Sequence, residues 1–259
     1  MFKARDVLLY FALKYEGQYE AIISSIRNKV QIDEQDYRFV TTNYKGDFIT
    51  IVDNEYPLEF KKIYRPPLVV FYKGNLKLLI NLSKAIAVIG TRNPSEYGIK
   101  MATNLTHDLA SDEFIIVSGM AKGIDAVAHQ TALNANGKTI AVLGSGINYP
   151  YPKQNESLYQ NLCQHGLVLS EYPGSTKPTK DNFPERNRLV AALGRAVLVV
   201  EAKKRSGTFI TVGASLAGGG DIFCVPGLAS EDSGTNQLIK DGAYLVESFE
   251  DIKNLWPNK

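Results

Sequence analysis

Apolar and polar positions along this chain fall into blocks, and the texture of the blocks changes twice. Near the amino terminus Val7, Leu8, Phe11, Ala12 and Tyr15 recur at helical spacing, and Ile22, Ile23, Ile26 and Val30 form a second stripe after Gly17. Stripes of that period predict helices with one buried face. A polar stretch around Asn43-Tyr-Lys-Gly46 then leads into two β-rich runs, Phe48–Val52 and Leu68–Tyr72, punctuated by Pro57, Pro66 and Pro67. From Lys84 onward short, continuously apolar runs alternate with helix-like stretches. The runs are Ala85–Ile89, Phe114–Val117, Thr139–Leu143, Leu167–Leu169, Ala196–Val200, Ile222–Val225 and Tyr244–Val246. Strands apolar on both faces belong to a parallel sheet covered by helices on both sides. The expected fold is therefore α/β. A doubly wound, mostly parallel, extended Rossmann-like sheet spans 46–255, after a small helical amino-terminal domain at 1–45. Ligands of such sheets bind outside the carboxyl ends of the strands.

The loops at those ends share one chemistry. The run Ala85–Ile89 leads into Gly90-Thr91-Arg92, and Phe114–Val117 into Ser118-Gly119-Met-Ala-Lys122-Gly123-Ile-Asp125. Thr139–Leu143 leads into Gly144-Ser-Gly146, and Ala196–Val200 into Glu201-Ala-Lys203-Lys204-Arg205-Ser206-Gly207-Thr208. Glycine lets a backbone approach a ligand, and successive N–H groups at a helix start make an anion-binding concavity. Recurrence of glycine with a cation at several strand ends points to a polyanion site. Its backbone cradle would be Gly90, Thr91, Ser118, Gly119, Gly123, Ser206, Gly207 and Thr208.

The stretch Asp181-Asn-Phe-Pro-Glu-Arg-Asn-Arg-Leu-Val190 adds a ring, Phe183, to Lys180, Arg186 and Arg188. Asn182 is expected to cap a helix in which Pro184 takes an early position. A positive helix start with arginines and a stacking ring suits a phosphate chain with bases attached.

Composition narrows the picture mainly by exclusion. With 259 residues, 44% hydrophobic and 22% charged, the chain is ordinary for a soluble protein, and a net charge of +2 makes any anion site a local patch. Cys163 and Cys224 form no Cys-x-x-Cys pair, and His107, His129 and His165 are scattered, so no metal is expected. There is no membrane-length apolar run and no signal-peptide layout, so the protein is expected to be cytoplasmic. The first strand-end turn lacks Gly-x-Gly-x-x-Gly. Gly137-Lys138-Thr139 has Ala132 where a phosphate-binding loop needs its first glycine, so no nucleotide cofactor is expected. No nucleophile elbow is present. Asp125 reads as a residue ordering its own loop, and Glu171 and Glu201 as partners of nearby N–H groups or of Arg186 or Arg188.

Seven ordered motifs carry a family resemblance: Ile89-Gly-Thr-Arg92, Ser118–Asp125, Tyr149-Pro-Tyr-Pro152, Phe183-Pro-Glu-Arg-Asn-Arg188, Val200–Thr208, Val225-Pro-Gly227 and Gly234–Ala243. From near Tyr56 to about Glu247 the chain resembles the DNA-processing protein A (DprA/Smf) family. The resemblance implies a non-catalytic protein that binds single-stranded DNA and loads the RecA recombinase onto it while displacing single-strand-binding protein. It further implies natural transformation and homologous recombination as the setting. A homodimer is implied through the carboxy-terminal part of the sheet domain, near Gly234 and Tyr244–Val246. The strand-binding set carried over is Arg92, Lys122, Lys180, Phe183, Arg186 and Arg188, joined by Lys203 and Arg205. Arg92, Lys180 and Arg186 are expected on phosphates, Phe183 on a base and Lys122 at the rim, with Arg188 alternatively bracing its loop through Glu201. Two departures are expected: no winged helix after the sheet domain, and no helix-hairpin-helix glycine signature in the first 45 residues. The rival reading is a nucleotide phosphoribohydrolase of the lysine-decarboxylase-like type. It needs a Pro-Gly-Gly-x-Gly-Thr loop, which neither Val225-Pro-Gly-Leu228 nor Ser206-Gly-Thr208 supplies. A protein-docking scaffold with basic loops is the third.

Overall fold

The computed structural model of the chain describes residues 2–229 and 232–257. Three helices come first: α1 (Ala4–Lys14), α2 (Tyr19–Arg27) and α3 (Glu34–Asn43). The two expected stripes become α1 and α2. Helix α3 buries no residue of its own and so leaves no apolar stripe to read; its start is fixed by the Asp33 carboxylate, which accepts from the N–H groups of Gln35 and Asp36.

Among the described residues nine strands follow, interleaved with helices. In chain order they are β1 (Asp47–Thr50), α4 (Leu58–Lys61), β2 (Val69–Gly74), β3 (Ala85–Ile89), α5 (Glu96–Ser111), β4 (Ile115–Ser118) and α6 (Ile124–Asn134). Next are β5 (Lys138–Leu143), α7 (Glu156–His165), β6 (Leu167–Ser170), α8 (Asn182–Leu193), β7 (Ala196–Val199), α9 (Thr208–Ala217), β8 (Asp221–Cys224), α10 (Gly234–Lys240), β9 (Tyr244–Leu245) and α11 (Phe249–Asn254). Each apolar run read as a strand is one, with no end moved by more than two residues. The first stops at Thr50 rather than Val52 because the Asp53 carboxylate accepts the Thr50 N–H at 2.9 Å and turns the chain.

The strands lie in one sheet ordered β1-β2-β6-β5-β4-β3-β7-β8-β9. Strands β1, β2 and β6 pair antiparallel, and every pair from β6 to β9 is parallel. This is the expected doubly wound, mostly parallel α/β sheet. Alternate residues of its central strands face opposite layers: Ala85, Ala87 and Ile89 pack with Leu189, Val190, Leu193 and Val212 of α8 and α9, whereas Ile86 and Val88 pack with Leu105, Leu109 and Ala128 of α5 and α6. Each such aliphatic side chain taken wholly out of water contributes roughly 1.5–3 kcal/mol. Helix α1 shares its core with the sheet, since Leu9, Phe11 and Ala12 cluster with Phe71 of β2 and Val168 of β6.

The chain runs β3 to β6 toward one edge and then returns to lay β7 on the other side of β3. The connections after β3 and β7 therefore diverge, and a crevice opens between them. That is the topological switch point, where ligands of this architecture bind.

Candidate functional site

A crevice of about 640 Å³ lies at this switch point. Its walls are the β3 loop with Arg92, the α8 start with Phe183 and Arg186, and the α9 start with Ser206–Thr208. Lys180 stands on its rim.

Phe183 sits on the first turn of α8, half-buried. The Arg92 guanidinium carbon lies 5.5 Å from the centre of its ring, and the Tyr151 ring leans on it with centroids 5.7 Å apart. Glycine is required at 144, because a Cβ there would stand 2.9 Å from Cδ1 of Phe183. Arg92 and Lys180 are exposed, so among the described residues lining the crevice these are the cations available to an incoming anion. Asp181 takes the N-cap of α8 rather than Asn182, which is the first helical residue and accepts a hydrogen bond from the Thr179 hydroxyl at 2.6 Å.

Arg186 departs from the expected phosphate contact. It is 4% exposed and forms part of the crevice floor, its guanidinium donating to the carbonyls of Gly119 and Val142 while Nε donates to Asn187 Oδ1 at 3.2 Å. Burial pulls its pKa down to about 10, against the pull of the Asp125 carboxylate, so it stays cationic at neutral pH. Burial pushes the Asp125 carboxyl up, opposed by Arg186 and by the two loop N–H groups that it binds. Beneath them His129 is fully buried, its Nδ1 2.6 Å from the Thr139 hydroxyl. Burial, together with the Arg186 charge, drives His129 down to about 3 and keeps it neutral.

The glycine-rich cradle is also partly self-occupied. Asp125 Oδ2 accepts from the N–H groups of Gly119 and Ala121, both at 3.2 Å, so Asp125 orders its own loop as expected. The Thr91 N–H is bound to the Glu201 carbonyl at 2.7 Å, and the Ser118 hydroxyl to the Val88 carbonyl at 2.6 Å. Gly90 makes room for Ile124, whose Cγ1 would stand 2.6 Å from an added Cβ. Gly119 makes room for the Arg186 guanidinium, and Gly123, at φ +77°, for the Thr91 carbonyl. Close packing of the chain on itself requires glycine at these three positions. Gly207 differs: an added Cβ would meet open space. At the α9 start the first backbone bonds are donated by Phe209 and Ile210 to the carbonyls of Ser206 and Gly207. The N–H groups of Gly207 and Thr208 come before those bonds and point beyond the helix, the geometry that binds anions.

The remaining expected residues lie elsewhere. Lys122, Lys203 and Arg205 are exposed but do not line the crevice, and neither does Arg188. Arg188 braces its surroundings through Glu171, not Glu201: its Nη2 donates to both Glu171 oxygens at 2.6 and 2.7 Å. Glu201 instead accepts from the N–H and hydroxyl of Ser95 at 3.0 and 2.9 Å, bracing the start of α5. Among the described residues no group of His, Cys, Asp and Glu is placed to hold a metal ion, and no helix is long and apolar enough to cross a membrane.

A family model, DNA recombination-mediator protein A, matches residues 47–257. The chain belongs to that family. The DNA processing protein DprA of Bacillus subtilis is 39% identical over 213 residues, covering 82% of this chain and 71% of its own length. That of Streptococcus pneumoniae is 41% identical over 239 residues, covering 90% and 84%. The X-ray structure of the S. pneumoniae protein superposes with a TM-score of 0.81 at 35% identity, covering 98% of this chain and 94% of that one. A structure of DNA processing protein A from Helicobacter pylori, described as giving insight into that protein's unique single-stranded DNA binding mode, superposes with a TM-score of 0.74 at 31% identity, covering 82% and 96%.

In this member of the recombination-mediator family, sequence reading overlooked Tyr151 and Asn155. Tyr151 lies inside the Tyr149-Pro-Tyr-Pro152 motif, and an aromatic between two prolines was the signal available. Asn155 is buried and donates to the carbonyls of Met120 and Ala121 at 3.0 and 3.2 Å. It thereby supports a loop in which Met120 holds the left-handed φ of +59°. Only the tertiary structure brings that support to the loop.

Proposed function

We propose that this chain is a non-catalytic binder of single-stranded DNA that loads RecA onto the strand during homologous recombination and natural transformation, displacing single-strand-binding protein. One observation carries the reading. Phe183 presents a ring at the switch point with the Arg92 guanidinium on it and Tyr151 beside it. A ring flanked by a cation gives every base a face to stack on and its phosphate a counter-charge, without reading sequence. The H. pylori relative's single-stranded DNA binding supports the same reading. Phosphates would sit on Arg92, Lys180 and the Gly207–Thr208 N–H groups. Lys122, Lys203 and Arg205 would extend the positive field outside the crevice.

The protein would act in the cytoplasm as a homodimer. The partner surface would be the sheet edge formed by β9, where Tyr244 and Leu245 are 40% and 46% exposed, with the α10 start beside it. The residues 1–45 and 46–255 would act as the helical and sheet domains of one binder. The phosphoribohydrolase alternative would use an Arg–Glu pair for glycosidic cleavage, but the Arg188–Glu171 pair does not line the crevice, and Glu201 is engaged by Ser95.

The deciding experiment compares single- and double-stranded oligonucleotides of equal length at two salt concentrations. Preference for the single strand, and a loss of roughly 1–3 kcal/mol in Phe183→Ala, is expected. Equal binding of both forms, or release of free base from nucleoside monophosphates by the pure protein, would overturn the proposal.

A further inference from the structure

A second cavity, of about 780 Å³, is lined by residues of the α8 start and its preceding loop that do not line the first. Its walls come from the turn between α1 and α2, from Tyr44 after α3, and from the loop between β6 and α8. The two cavities share that loop. Lys180 and Phe183 face the first, whereas Lys177, Thr179 and Asn182 face the second. Asn182 and Phe183 are consecutive residues of α8, and each lines one of the two cavities.

The cavity is built rigidly. Gly174 and Thr176 offer their carbonyls to the N–H groups of Asn148 and Gly146, each at 2.8 Å, and Tyr172 offers its carbonyl to Ile147 at 3.0 Å. The opposite wall closes on this loop at Gly17, where φ is +79° and any Cβ would collide with the Glu171 carbonyl. The chemistry inside differs from that of the crevice. Tyr44, Tyr172 and Pro173 supply flat apolar surface, and Gln18, Asn182 and Glu16 supply hydrogen-bonding groups. Lys177 and Glu16 are both exposed lining residues, so the cavity has a single cation at its mouth and no net positive charge within. A carboxylate that repels a phosphate is a good acceptor for the N–H groups of a base edge.

We infer that this cavity is a second base-binding subsite, which takes the nucleobase next to the one stacked on Phe183, with Lys177 on the linking phosphate. The inference rests on the single-strand reading above. The occupant is the continuing strand because one loop and one helix start line both cavities, and because aromatic walls with polar edges match a base and not its backbone. Helix α3 and the α1–α2 turn thereby become part of the binding surface.

The test is photo-crosslinking of the full chain to oligothymidylate carrying 4-thiothymidine, with the linked peptides mapped by mass spectrometry. Crosslinks are expected to peptides holding Phe183 and, separately, to peptides holding Tyr44 or Tyr172–Thr179. Lys177→Glu reverses an exposed charge outside the packed core. It is expected to lower affinity by about fivefold and to remove the second class of crosslink while leaving the first. Crosslinks confined to the Phe183 peptide, in wild type and variant alike, would sink the subsite and leave the single-strand reading standing. Failure of wild type to retain the oligonucleotide at all would sink both.

Discussion

Arg186 separates a charge that grips a ligand from one that holds up the site, and the two roles give opposite signatures in one experiment. Replacing it with alanine strips the carbonyls of Gly119 and Val142 of their donor, and it leaves Asp125 buried without its neighbouring cation. Each orphaned buried acceptor costs about 1–3 kcal/mol, and breaking a buried charge arrangement about 3–5 kcal/mol in all. Arg186→Ala is therefore expected to lower unfolding free energy by roughly 3–5 kcal/mol. An exposed phosphate ligand behaves otherwise. Arg92→Ala should leave stability within about 0.5 kcal/mol of wild type, and should reduce the slope of log affinity against log salt by about 0.7. The assay pairs urea unfolding with oligothymidylate titrations at several salt concentrations. Arg186→Ala should weaken binding at every salt concentration through a loosened Gly119–Gly123 loop, with the wild-type slope retained. If Arg186→Ala instead unfolds like wild type and flattens the slope as Arg92→Ala does, its guanidinium reaches the phosphates, and the floor assignment is wrong.

Three further outcomes follow from the same structure. His129 is held near 3 when folded against 6.5 for a free histidine, so its contribution is present above pH 6.5 and is lost as pH falls toward 3; unfolding free energy should drop by about 1.4 kcal/mol per pH unit in that window. Subtracting the same titration of His129→Gln cancels the carboxylates, and an unchanged slope in that variant would refute the assignment. Arg65 bonds Glu20 of α2 and Glu185 of α8, the latter at 3.2 Å, so Arg65→Ala should weaken single-strand binding by loosening the α8 start, and Arg65→Lys should recover part of it. Wild-type affinity in Arg65→Ala would remove the helical segment from the support of the site. Gly119→Ala thrusts a methyl group into the Arg186 guanidinium and should reproduce the Arg186→Ala loss, whereas Gly207→Ala, facing open space, should cost stability little in the same urea assay.

The sheet was legible because a strand buried on both faces needs an unbroken apolar run, a purely local property. The site was legible only in outline, and Arg186 shows why. Read for chemistry, Arg92, Arg186 and Arg188 look alike. Read for period, they do not: Arg186 precedes Leu189, Val190 and Leu193 by three, four and seven residues, which places it on the buried stripe of α8 with the core. That signal lay in the sequence, masked by the habit of assigning arginine to solvent. The glycines left no such signal, since a glycine that admits Ile124, the Arg186 guanidinium or the Thr91 carbonyl is written like one that admits a phosphate. Nor could the partner of Arg188 be read, because Glu171 and Glu201 end strands that β5, β4 and β3 separate in the sheet. In each case local chemistry named the residue types, and long-range packing decided which of them line the crevice. At this switch point that packing ties Arg186, Asp125 and Glu201 into the protein, and it leaves Arg92 and Lys180 exposed beside the Phe183–Tyr151 pair and the α9 start.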